Sequence, residues 1–124
     1  MEISKEKVYY AQLRKDQDSN GFINFLEVRK YQDRVVSVRI DGVNYDENPY
    51  GTYKSLSEKY NNAMHDASGT YYRDAKRMYE ESILKGGDLV RVKGAGGLYG
   101  DLMLLIDKIK AQTDLDIQYD VNLK

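Results

Sequence analysis

Apolar and polar residues alternate over residues 34–41, with Val36, Val38 and Ile40 on one side and Ser37, Arg39 and Asp41 on the other. A period of two belongs to a strand with one buried face. Residues 8–14 are rich in β-forming side chains, and residues 22–31 carry Phe22, Ile23, Phe25, Leu26 and Val28. These segments predict a meander of three or four antiparallel strands. Asp41-Gly42 lies between Ile40 and Val43 and predicts a tight hairpin turn there.

Asn48-Pro49 with Gly51 marks a change of period. Tyr53, Leu56, Tyr60, Ala63, Met64 and Ala67 recur near helical spacing, and Ser55 with Glu58 has the order of a capping box. Asp66, Ser68 and Gly69 interrupt that pattern. Tyr72, Ala75, Met78, Tyr79 and Ile83 then mark the face of a second helix, stopped by Gly86-Gly87. Residues 88–93 read as a short strand and residues 94–100 as a flexible glycine-rich loop. From Leu98 or Asp101 to about Ala111, the spacing of Leu98, Leu102, Leu105, Ile106 and Ile109 predicts a third helix. Met103 and Leu104 widen its stripe, which suits a homodimer contact as well as a buried core. Ile117, Tyr119, Val121 and Leu123 alternate with polar residues over 116–123 and predict a last strand. The expected fold is one α+β domain over residues 1–124. It has an antiparallel sheet, an N-terminal β-meander plus later strands, with three helices packed on it in the order βββ(β)ααβαβ.

The chain of 124 residues is 41% hydrophobic and 31% charged, which suits a folded domain with its own core. Its 19 basic and 20 acidic residues leave a net charge of -1, so nothing favours a general polyanion binder. The absence of cysteine excludes disulfides, cysteine-bound zinc, iron–sulfur clusters and thiol nucleophiles. No apolar run is long enough to cross a membrane, and the first ten residues carry no apolar stretch of signal-peptide type. A cytoplasmic location is therefore expected. The 12 tyrosines stand against 2 phenylalanines and no tryptophan. Tyrosine joins an apolar ring to a polar tip, so it collects at core edges and at interfaces. Abundant Tyr, Lys and Asn together have the flavour of an AT-rich bacterial or bacteriophage genome.

Two local motifs bear on chemistry. Residues 16–27 place Asp16, Asp18, Asn20, Phe22, Asn24 and Glu27 at the spacing of calcium ligands, with Gly21 where the turn is sharp. This string resembles the EF-hand calcium loop. The resemblance implies side-chain oxygens from Asp16, Asp18, Asn20 and Asn24, a carbonyl from Phe22 and two oxygens from Glu27, with Ca2+ as the ion. Arg14 and Lys15 stand where an entering helix would be apolar, and no second loop follows. The same residues also read as a β-hairpin, with residues 8–14 paired to 22–29 and the acidic stretch as its turn.

The second motif is Arg91-Val92-Lys93-Gly94-Ala95-Gly96-Gly97, set before a helix. Backbone N–H groups at a helix start bind anions, and glycine lets them approach closely. The order resembles the pyrophosphate loop of GNAT acetyltransferases, although the elements before it are in the wrong order for that family. In the binding reading, Arg91 and Lys93 pair with the anion of a nucleotide, and Gly94, Gly96 and Gly97 open the backbone to it. In the plain reading, the segment is a loop joining strand to helix.

His65 has no serine elbow to serve, and Glu80-Glu81 reads as a solvated helix face. Arg14, Lys15, Arg29, Lys30, Arg34 and Arg39 make the meander locally basic, which suits an acidic partner or nucleic acid. With no catalytic set in view, the expected role is non-enzymatic. It is that of a small binding or regulatory protein acting on a protein partner, such as a phage or mobile-element inhibitor of a host system. Calcium binding at 16–27 and nucleotide or anion binding at 91–100 are the alternatives.

Overall fold

The computed structural model describes residues 7–14, 21–32, 34–46, 48–86 and 89–114. Strands β1 (Lys7–Gln12), β2 (Ile23–Tyr31), β3 (Arg34–Asn44) and β4 (Thr52–Tyr53) form one antiparallel sheet in that order. A 3-10 turn (Lys54–Leu56) leads into α1 (Glu58–Ser68), α2 (Tyr72–Lys85) and α3 (Gly96–Asp114). The architecture is the expected α+β arrangement of an antiparallel sheet with three helices.

The strand register decides what is buried. Tyr9 faces Val28 and Ala11 faces Leu26 across β1 and β2, while Val38 and Ile40 of β3 continue the same rows. Because side chains alternate along a strand, these residues share one face of the sheet. Ala75 and Tyr79 of α2 and Leu102, Leu105 and Ile109 of α3 pack on that face in one core. Each large apolar side chain buried this way contributes about 1.5–3 kcal/mol. On the opposite face the Tyr10 and Phe25 rings stack at 5.6 Å, and the Arg39 guanidinium lies 5.3 Å from the Phe25 ring centre. Tyr10 stands among Tyr45, Glu27 and Tyr53, and burial pushes its hydroxyl pKa up to about 12.

Several elements differ from the sequence expectation. Asp41-Gly42 is not a turn, because β3 runs straight through it. The Asp41 carboxylate accepts from Ser55 N at 3.0 Å and from Ser55 Oγ at 2.6 Å, so it is held by the 3-10 turn instead. Gly42 is needed for space: a Cβ there would stand 2.6 Å from Asn24 Oδ1. The first helix starts at Glu58, with Ser57 rather than Ser55 as its cap, accepting from Tyr60 N at 3.1 Å. Tyr53 belongs to β4 and Leu56 to the 3-10 turn.

Among the described residues, 89–93 form no strand. Their amides turn to helix side chains: Val90 N donates to Ser82 Oγ at 3.1 Å and Val92 N to Tyr79 Oη at 3.2 Å. The third helix begins earlier than expected, at Gly96, and takes in most of the glycine-rich stretch. On it Leu102 and Leu105 are buried, while Leu104 is half exposed. The expected strand at 116–123 lies outside the described residues.

Candidate functional site

The 3-10 turn places Lys54 under the sheet edge, where the side chain is only 4% exposed. A buried ammonium needs partners. Lys54 Nζ donates to Asn24 Oδ1 at 3.0 Å and lies 5.3, 4.7 and 5.3 Å from the ring centres of Phe22, Tyr60 and Tyr72. The rings meet edge to face, Phe22 on Tyr60 at 5.4 Å and Tyr60 on Tyr72 at 5.5 Å. Three rings around a desolvated cation form an aromatic box, each contact worth up to about 2 kcal/mol.

Asn61 of α1 closes the turn. Fully buried, it donates through Nδ2 to the carbonyls of Lys54, Ser55 and Ser57 at 3.1, 3.3 and 2.9 Å. The same turn is thus held by Asp41 on one side and Asn61 on the other.

This rigid base carries a cleft of about 590 Å3 between the β3–β4 end of the sheet and α1. Phe22 and Tyr60 of the box line it, with Ala63 and Met64 from the next turn of α1. Asn44, Asp46, Thr52, Ser57 and Lys59 supply polar groups of both signs. Volume and mixed lining match the usual range of ligand clefts, about 300–1,000 Å3 with a few polar groups on apolar walls. The chain segment 44–57 that supplies four of these residues also carries Tyr45, Tyr50 and Leu56, exposed by 52%, 89% and 78%.

The calcium candidates are only partly described. Asp16, Asp18 and Asn20 lie outside the described residues. Phe22 is buried in the box, and Asn24 is 3% exposed with its oxygen taken by the Lys54 ammonium. Glu27 lies within β2, 3.1 Å from Arg29 Nε. Residues 23–31 form a strand antiparallel to β1, which is the hairpin arrangement. Among the described residues no group of three acidic or histidine side chains gathers around a common point.

The anion candidates stay together. Arg91 and Lys93 are exposed, and the Arg91 guanidinium lies 4.4 Å from the Tyr99 ring centre. Gly94 adopts φ 79 and packs on Ser68, where a Cβ would be 2.7 Å away. Gly96 and Gly97 form the first turn of α3, with open space where their Cβ atoms would stand. Lys93 O accepts from Thr70 Oγ1 at 2.9 Å, which ties the segment to the α1–α2 corner.

The aromatic box escaped sequence reasoning. Lys54, Tyr60 and Tyr72 come from three elements, and Lys54 reads as one more polar residue of a helix start. The excess of tyrosine was the available signal.

No protein-family model matches the chain. No curated protein matches it either. Among solved structures, the CPE2226 protein from Clostridium perfringens has a similar fold, with a TM-score of 0.78 over 94% of both chains and 17% sequence identity. At that identity the likeness establishes the fold: the same sheet-and-helix architecture occurs in a bacterial protein.

Proposed function

We propose that the protein is a non-enzymatic binding module that takes an extended segment of a protein partner into the cleft between the β3–β4 end and α1. The observation that carries this reading is the cleft's mixed wall, apolar from Phe22, Tyr60 and Met64 and charged from Asp46 and Lys59, at the end of a short edge strand. Tyrosine is among the side chains that dominate binding energies at interfaces, and Tyr60 lines the cleft. Asp46 and Lys59 offer one charge of each sign, and Asn44, Thr52 and Ser57 offer hydrogen bonds to a peptide backbone. β4 is an edge strand of only two residues, so Thr52 lies where an added segment can pair.

The test is a selection from a displayed library of extended peptides, counter-screened on Ala63→Trp. Ala63 is exposed and lines the cleft, so the larger ring fills it from α1. Enrichment on the natural chain that is lost on the filled variant supports the reading. Equal enrichment on both, or none on either, overturns it.

A second reading is favoured by the glycines of α3. Glycine costs about 1 kcal/mol relative to alanine inside a helix. Gly96, Gly97 and Gly100 lie within it and have no atom near enough to exclude a Cβ. Close approach of a phosphate to the first-turn amides, with Arg91 and Lys93 beside it, gives these glycines a purpose. Titration with inorganic phosphate and with a mononucleotide, repeated on Arg91→Ala, tests it. An Arg91-dependent response supports it, and no response removes it.

A further inference from the structure

A second, smaller cavity of about 200 Å3 lies on the helix-covered face of the sheet. Its walls are aliphatic: Leu26 and Val28 from β2, Ile83 from α2, and Ile106 and Ile109 from α3. Leu26 is 1% exposed and Val28 6%, so the floor is core. Lys30 and Lys110 also line the cavity, Lys110 exposed and Lys30 half-buried, so they mark its solvent side. Neither forms an ion pair among the described residues, and the Lys30 ammonium lies 5.5 Å from the Tyr9 ring centre.

We propose that this cavity binds a free medium-chain aliphatic carboxylate. The walls offer no aromatic face to a flat ring and no backbone or amide pattern to a sugar. An alkyl chain fills such walls by burial alone. The two lysines in its lining favour an anionic head over a neutral or cationic one, since a carboxylate there gains a counter-charge. A volume of about 200 Å3 suits an alkyl chain of medium length rather than a long one. The site is separate from the cleft beside α1, with which it shares no lining residue.

The experiment is calorimetric titration of the full chain with octanoate, with acetate and octylamine as controls at matched ionic strength. Octanoate is expected to bind with one site per chain, while acetate and octylamine give no saturable heat. Ile106→Phe, which fills the cavity, is expected to abolish binding. Should that variant fail to fold, Lys110→Glu tests the head group at an exposed position, with affinity falling at least about tenfold. The proposal is overturned if octanoate gives no saturable binding, if octylamine binds equally, or if Lys110→Glu leaves the affinity unchanged.

Discussion

Asn61 Oδ1 accepts the backbone N–H of Arg73 at 2.9 Å, joining α1 to the first turn of α2 from a fully buried position. The other end of the same amide holds three carbonyls of the 3-10 turn and α1 cap. One side chain thus fixes the helix pair against the turn that carries Lys54. Asn61→Ala takes this partner from the Ser55 carbonyl and the Arg73 N–H, while the Lys54 and Ser57 carbonyls keep the amides of Ser57 and Asn61, and each group left unsatisfied costs about 1–3 kcal/mol. Asn61→Ala is expected to lose at least about 2 kcal/mol in urea unfolding. Asn61→Asp, which keeps the acceptor but loses the donor, is expected to be nearly as damaging.

Gly42 makes room for the acceptor of Lys54. An alanine Cβ would meet Asn24 Oδ1 at 2.6 Å and the Phe22 Cβ at 3.2 Å. Gly42→Ala is therefore expected to destabilise by about 1–3 kcal/mol, the usual cost of overpacking. A shift of the Phe22 and Tyr60 ring resonances should accompany it in the NMR spectrum.

Gly97 predicts the opposite sign. It is exposed, within α3, and has open space at its Cβ position. Gly97→Ala is expected to stabilise the fold by about 0.5–1 kcal/mol. If phosphate binds the first turn of α3, the same variant weakens that binding. Gained stability with unchanged phosphate binding would separate the glycines from any ligand.

Tyr10 sets an alkaline limit. Burial raises its pKa from 10.0 to about 12, with Tyr45 and Glu27 adding to the rise. The folded protein then holds a proton that the unfolded chain releases, so stability falls as pH rises through this window. The contribution is complete below about pH 10 and gone above about pH 12. Tyr10→Phe is expected to flatten this part of the curve, while it loses the 2.9 Å hydrogen bond to Gln12 Oε1. Ultraviolet titration of the phenolate, compared with Tyr10→Phe, checks the assignment.

The periodic part of the fold was legible. Alternation in 34–41 and the helical rows around Tyr72–Ile83 and Leu98–Ile109 locate elements, because each element buries one face. The faces themselves were less exact, since a register shift at Arg29 and Lys30 packs Val35 on the core and leaves Val36 41% exposed, Asp41 is buried, and Met78 is 42% exposed. Signals that depend on a single residue failed where a distant partner outbid them. Asp41 left the turn for Ser55, and the amides of Val90 and Val92 took Ser82 and Tyr79 in place of a neighbouring strand. The cleft was not legible, since its walls come from β3, β4, α1 and the chain before β2. No local pattern brings Phe22 to Tyr60.

The central claim is that the cleft beside α1 holds the partner segment. The most direct measurement is the affinity of a peptide selected on the natural chain for Ala63→Trp, with both melting temperatures recorded. The expected result is a loss of at least about tenfold, roughly 1.4 kcal/mol, with the melting temperature unchanged. Equal affinity for the natural chain and the filled variant would contradict the account and move the binding surface off the cleft.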